Sequence, residues 1–428
     1  MGAGKRAPPT VPVAERLKTT NAYATFAGHS AGLRAERNLA MAREYKRISA
    51  DSHLEVSSDR WTHRIDPKYR NDGPKSLVLP NGGDATQIGD LPPRENPMDL
   101  YGGKGRDKWL PYGQKYAETP GTGEPSQRVQ EQDLDHTDAE VLFPAVVVGP
   151  RYWAKVKDAA VQNAIFKGWN DWVGEEYRTY APDRLYPVGA LPTTGVEACI
   201  AELTNCKQLG LTSAVLTTFP NGSGRPSEAD DPFWAASLDL DIKVLIHVEL
   251  DRSGDPNQRY LDYPIEHEEA LAHTELGFQV QRFARVGGTN VVQLVLSRLF
   301  DRFPTLQIGC LEFYLGWVPF FIEMADVRYN RHIHWSEKLL GYKPLPAMPS
   351  EIIKEHFHWG FQQDRSGVEL RHHIGIDRLM WAADFPHQES DWPNSDRVIE
   401  FNFRDVPEDE VQKMICTNAQ KFYQMGVS

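Results

Sequence analysis

RISADSHLE (47–55) sets a short strand-like run against three polar residues, Asp51, His53 and Glu55, placed at every second position. Runs of this length bounded by turn formers read as buried strands, and strand alternation sends the three side chains to one side. The pattern recurs in AEVLFPAVVV (139–148), RLYPVGALP (184–192), TSAVLTTF (212–219) and IKVLIHVEL (242–250). LQIGCLEF (306–313), HFHWGF (356–361) and RLMWAADFP (378–386) complete the series. Between most of them lie amphipathic segments such as VKDAAVQNAIFKGWNDWVGEEYRTY (156–180) and GVEACIAELTNCKQLG (195–210). Strand then helix, eight times over, predicts a parallel α/β fold, and eight is the number that closes a (β/α)8 TIM barrel. An open doubly wound sheet is the rival, but no Gly-x-Gly-x-x-Gly turn follows the first strand.

Working outward, residues 1–46 read as a helix-prone N-terminal extension, rich in Ala, Arg and Glu, and residues 47–428 as the barrel. About eighty residues separate the first strand from the second, far beyond an ordinary connection. This insert, 56–138, is Gly/Pro-rich over 80–125 and shows no clear period there. It leaves the C-terminal end of strand 1, where barrel active sites lie, so it is expected to be a lid or a dimer arm.

Composition narrows the function classes. The 428 residues carry 47 Lys+Arg against 59 Asp+Glu, a net charge of −12. A phosphate-tracking surface needs a cationic field, so nucleic acid is not an expected partner. Cys199, Cys206, Cys310 and Cys416 include no C-x-x-C pair, which argues against a disulfide framework and a thiolate zinc site. No apolar run approaches the ~20 residues of a membrane span, and MGAGKRAPPT has no apolar core for a signal peptide. The expectation is a soluble cytoplasmic protein with no membrane partner.

Polar groups interrupt four of the strands near their C-terminal ends: Asp51, His53 and Glu55; His247 and Glu249; Glu312; Asp384, with His387 three residues on. A carboxylate inside an apolar strand is costly unless paired or bound to a cation. Taken singly, His53 reads as a satisfied core histidine, Glu312 as an arginine partner and Asp384 as a turn cap. Converging on one barrel mouth, they make a metal site the economical reading. Arg225, after strand 4, stands where a substrate carboxylate could be clamped. His356 and His358 alternate and so share a face, and His332, His334, His372 and His373 read as structural.

These residues also carry a resemblance. ADSHLEV is similar to the D-x-H-x-H strand-1 motif of the amidohydrolase superfamily, VLIHV to its strand-5 histidine, and WAADFPHQESDWPNS to its strand-8 aspartate and trailing loop. LDHTDAEVLFPA, DDPFWAASLDLDIKVLIHV and LSRLFDRFPTLQIGCLEFYLGWVPFFIE resemble the amidohydrolase-related branch, which holds hydrolases alongside metal-dependent decarboxylases of aromatic and muconate-type acids. The likeness covers roughly 47–425. It implies metal ligands at His53, His247 and Asp384, with Asp384 also moving protons. Three departures stand out: Glu55 replaces the second strand-1 histidine, Glu312 falls where a strand-6 histidine is expected, and AVLTTFPNG holds no lysine to be carboxylated. Two carboxylates in place of two imidazoles make the donor set of His53, Glu55, His247, Glu312 and Asp384 oxygen-rich. That shifts preference from Zn toward Mn or Fe, with one or two divalent ions per chain.

The resemblance implies first a hydrolase that activates water on the metal, with Asp384 and His387 as catalytic residues. Non-oxidative decarboxylation is the second activity it supports. An O2-activating Fe or Mn centre, possibly dinuclear, and a non-catalytic partner subunit are further alternatives. The expected partners are a small-molecule substrate and a second copy of the chain, as a homodimer or higher oligomer, with a hetero-oligomer also open.

Overall fold

Nine parallel strand segments follow one another in chain order among the described residues, and the reason is legible from β1. All seven residues of β1, Ile48–Leu54, are buried, so its neighbours must cover both faces. The computed structural model describes residues 43–95, 103, 104, 108, 110, 112–248, 250, 264–266, 280 and 287–426. The extension up to residue 42, Glu249 and most of 96–111 lie outside that set. Residues 44–428 make up one unit.

After β1 the insert contains a small antiparallel sheet, β2 (Pro74–Val78), β3 (Asp84–Ile88) and β4 (Arg94–Glu95), in the order β2-β3-β4. The sequence gives no period here because the strands are short and only partly buried. The parallel strands resume with β5 (Ala139–Pro144), β6 (Leu185–Pro187), β7 (Gly189–Ala190) and β8 (Ser213–Leu216). β9 (Lys243–His247), β10 (Ile308–Leu311), β11 (Phe357–Phe361) and β12 (Leu379–Trp381) follow. They pair in two sheets, β1-β5-β6 and β7-β8-β9-β10-β11-β12, with all neighbours in these sheets parallel. β6 and β7 are two pieces of one extended stretch interrupted at Val188, whose N–H still reaches Leu142 O at 2.9 Å.

The expected parallel α/β strands are therefore present, eight in number if β6 and β7 are taken as one, but among the described residues they form two sheets and not one continuously paired ring. Where β12 ends beside β1, irregular backbone takes over. Asp384 N–H donates to Asp51 O (2.9 Å), His53 N–H to Phe385 O (2.7 Å) and Ala383 N–H to Ser49 Oγ (2.8 Å).

The helices supply the outer layer. Ala159–Val173 opens on Asp158, whose side chain accepts from Ala160 N–H and Val161 N–H, satisfying two orphan donors. Its inner face brings Trp169 against Trp153 with Trp172 packed on Trp169, and Trp61 of the insert packs on Trp153 and Trp169 at 5.2–5.5 Å. Gly168 lets this helix lie directly on Ile65, since a Cβ there would meet the Ile65 backbone at 3.0 Å. The helix Val318–Leu340 buries only Val318 and Ile322 and stops at Gly341, φ 68°. Among the described residues no helix is long and apolar enough to cross a membrane.

Candidate metal centre

Strand ends deliver the polar groups. Asp51 and His53 ride on β1 and Glu55 follows it; His247 closes β9; Glu312 follows β10; Asp384 and His387 follow β12. All seven are buried. Three strand ends are bent by left-handed residues, Val248 (φ 63°), Glu312 (φ 59°) and Asp384 (φ 52°). Such backbone costs about 1–3 kcal/mol per residue and concentrates at functional sites. It turns the Glu312 and Asp384 side chains out of strand alternation.

The donor atoms converge. His53 Nδ1 lies 3.2 Å from Pro144 O, so that nitrogen carries the proton and Nε2 presents a lone pair. His53 Nε2 is 3.1 Å from His247 Nε2, 3.4 Å from Asp51 Oδ1 and 3.3 Å from Asp384 Oδ1. His247 Nε2 is 3.3 Å from Asp51 Oδ2 and 3.6 Å from Glu312 Oε2. Both Asp51 oxygens, Glu55 Oε2 and Asp384 Oδ2 are buried with no hydrogen-bond partner. Ligands about 2.1 Å from one ion sit roughly 3.0–3.4 Å from each other, so these spacings suit a shared cation. The orphaned carboxylate oxygens fit it too, because burial without such compensation is costly. Asp51, His53 and His247 form one such group, and His53, Glu55 and His387 a second that draws on the same imidazole.

Electrostatics follow from the crowding. Burial pushes Asp51 up to about 8, helped by the Asp384 charge and opposed by His53 and His387. Burial holds His247 down to about 4 and lowers His53 as well. His387 goes the other way. Burial disfavours its charge, yet Asp384 Oδ1 at 3.0 Å from Nδ1 and Glu55 Oε1 at 3.1 Å from Nε2 raise it well above the usual range. Asp384 is correspondingly lowered; burial works against this, and His387 and His53 overcome it.

A pocket of ≈ 40 Å³ opens beside the imidazoles, lined by Phe143, Pro144, Arg151 and Thr217 among others, with His53 and His247 at its edge. Arg151 Nη2 donates to His247 O at 3.1 Å. Arg225 is exposed on the turn after β8, where its carbonyl accepts from Asn221 and Ser223, and it does not line this pocket. His358 does not approach the cluster: it meets Gln307 and Arg378 and stacks on Phe422. Nor do His356 and His358 alternate on one strand. His356 ends the preceding helix, stacked on Phe300 with Nδ1 at Leu306 O.

Sequence reading flagged Asp51 as an inward strand residue without giving it a ligand role, and the structure sets it between the two imidazoles. It overlooked Gln362, just past β11. The Gln362 amide is buried with both polar atoms unpartnered. The registers Cys310↔Trp359 and Phe361↔Trp381 put it within two rungs of Glu312 and Asp384. Nothing in GFQQD marks the first glutamine over the second.

Comparison with known proteins places this arrangement. The amidohydrolase family model matches residues 59–425. The decarboxylase OrsB of Emericella nidulans is 22% identical over 214 residues, 49% of this chain and 61% of the relative, so the match spans less than two thirds of that protein. An amidohydrolase from Mycobacterium avium subsp. paratuberculosis superposes with TM-score 0.67 at 18% identity, covering 89% of this chain and 100% of that one. A 5-carboxyvanillate decarboxylase from Novosphingobium aromaticivorans, solved with bound manganese and 3-methoxy-4-hydroxy-5-nitrobenzoic acid, superposes with TM-score 0.61 at 16% identity, covering 89% and 97%. At such identities the solved structures speak to the fold. With the family model covering most of its length and its polar strand ends gathered into one buried cluster, the chain belongs to the amidohydrolase family.

Proposed function

We propose that this protein is a divalent-metal-dependent, non-oxidative decarboxylase of a small aromatic acid, and that its two parallel sheets are the parts of one (β/α)8 barrel. The observation that carries the reading is His387, bonded through both ring nitrogens to carboxylates beside the convergent donor set. An imidazole donating from both nitrogens is a proton donor, and replacing a carboxyl group by hydrogen requires a proton at carbon. A hydrolase needs a proton acceptor for its water as well as a donor for its leaving group, and an imidazole protonated on both nitrogens cannot be that acceptor. The decarboxylases among the structural neighbours and OrsB support the same choice over hydrolysis.

Asp51, His53, His247 and Asp384 would hold the ion, and Glu312 is near enough to His247 to complete or orient the set. Manganese is the favoured metal, since two imidazoles with several carboxylates suit it and a neighbour contains it. A divalent ion held there would bind and orient an acid's carboxylate and offset its charge. Phe143 offers a ring face in the pocket, and Arg151 and Thr217 offer polar contacts there. His387 gives the proton from Nε2 to the carbon bearing the carboxyl group. The C–C bond then breaks, its electron pair returns to the ring, and carbon dioxide departs. Giving up that proton breaks the Nε2–H bond to Glu55, while the Nδ1–H bond to Asp384 keeps the ring in place, and solvent restores the proton.

The test is an incubation of the manganese-loaded protein in D2O with 5-carboxyvanillate and dihydroxybenzoates. Carbon dioxide release with one deuteron at the vacated carbon is expected. Label from 18O-water in a cleaved ester or amide, with no carbon dioxide from any acid, would move the assignment to hydrolysis.

A further inference from the structure

Arg128 is a buried guanidinium at the end of the insert, on the helix Pro125–Leu134, and it touches no candidate donor atom. Its contacts are nevertheless with the backbone of the site. Nη1 donates to His53 O at 3.0 Å and Nη2 to Phe385 O at 3.2 Å. Nε donates to Glu140 Oε2 at 2.7 Å and Nη2 also reaches Glu140 Oε1 at 3.3 Å. The guanidinium lies 4.6 Å over the Phe385 ring. His53 is a proposed ligand, and Phe385 directly follows another, Asp384. One planar group therefore bridges β1 and the segment after β12 at the junction where regular strand pairing gives way to isolated backbone bonds.

We infer that Arg128 is a positioning residue for the metal centre, fixing the spacing between His53 and Asp384 through their backbones and so setting the affinity for the ion. The inference rests on the metal-site reading above, but not on the reaction. A guanidinium suits the task because its fork serves three acceptors in fixed directions, whereas an ammonium would serve one well. Glu140 offsets the cost of burying the charge, and Gln132 (2.9 Å) and Ser52 (3.0 Å) satisfy its remaining acceptor capacity. The same helix is tied to neighbouring loops: Glu131 accepts from Gly121 N–H, and its carbonyl accepts from Trp392 Nε1. Movement of the insert would thus reach the donor atoms through Arg128.

The experiment is calorimetric titration of Mn²⁺ into the metal-free full-length protein, with thermal unfolding measured alongside. Arg128→Lys should weaken Mn²⁺ binding by about 10–100-fold, the range seen when partners that orient metal ligands are removed. Added guanidinium should restore much of the affinity to Arg128→Ala. Glu140→Gln is the control, because it weakens the ion pair and lowers the unfolding temperature while leaving both carbonyl bonds in place; its affinity should stay within about threefold of wild type. Unchanged affinity in a folded Arg128→Lys, or equal losses in Arg128→Lys and Glu140→Gln, would overturn the inference, and the control still decides if neither Arg128 variant folds. A wild-type chain that takes up no Mn²⁺ would instead bring down the metal reading itself.

Discussion

At the scale of single residues, the proposed function assigns some groups of the cluster to holding an ion and others to moving a proton. His53→Ala removes the imidazole on which both ligand groups converge, and bound metal and turnover should be lost together, as elemental analysis and an assay would show. His387→Asn should keep the metal and lower kcat by about 10²–10⁴-fold, the usual worth of a general acid. Gln362→Met tests a different balance. Its amide is buried with donor and acceptor both unmet, so an apolar replacement should raise stability by about 1–3 kcal/mol, read from the urea midpoint. A loss of stability would mean that the amide has partners in the folded protein. Much of this set was legible: a charged residue in an apolar run is a conspicuous signal, and Asp51, His53, Glu55, His247, Glu312 and Asp384 all gave it. Gln362 and Thr217 gave none because uncharged residues look ordinary, and Arg151 gave none because a charged residue at a helix start reads as solvated until the fold shows what faces it.

At the scale of elements, strand and helix existence could be read and their ends could not. The strand-like runs at 242–250 and 306–313 extend past β9 and β10, yet the strands stop at His247 and Leu311, where the next residue adopts a left-handed conformation. No propensity of Val248 or Glu312 predicts that. The small sheet β2-β3-β4 was likewise hidden in the Gly/Pro-rich insert. Packing between elements overrides propensity at Gly168 as well. Alanine is favoured over glycine inside a helix by about 1 kcal/mol, yet a Cβ there meets Ile65 Cγ1 at 2.8 Å and its backbone nitrogen at 3.0 Å. Gly168→Ala should therefore lower the unfolding temperature, which differential scanning fluorimetry would register; a rise would mean that the helix can lift off Ile65 without loss.

For the whole molecule, gathering so many titratable groups in one place should make the metal-free fold sensitive to pH. Burial raises Asp51 to about 8, and Asp384 and Glu55 raise His387, so above pH 6.5 the folded chain binds more protons than the unfolded one. Stability then falls as pH rises from 6.5 to about 8, by up to about 1.4 kcal/mol per pH unit for each group. His53 and His247, whose values are lowered, act only below 6.5 and do not offset this. Urea midpoints of the metal-free protein across that window should decline, and Mn²⁺ should flatten the trend; a level profile without metal would contradict it. The junction between β1 and the segment after β12 has a consequence for biosynthesis. Glu55 and His387 are 332 positions apart, and Asp51 and Asp384 meet at the same seam. A nascent chain on the ribosome thus has no assembled ion site until its final strand has emerged, and a prematurely terminated one never acquires it.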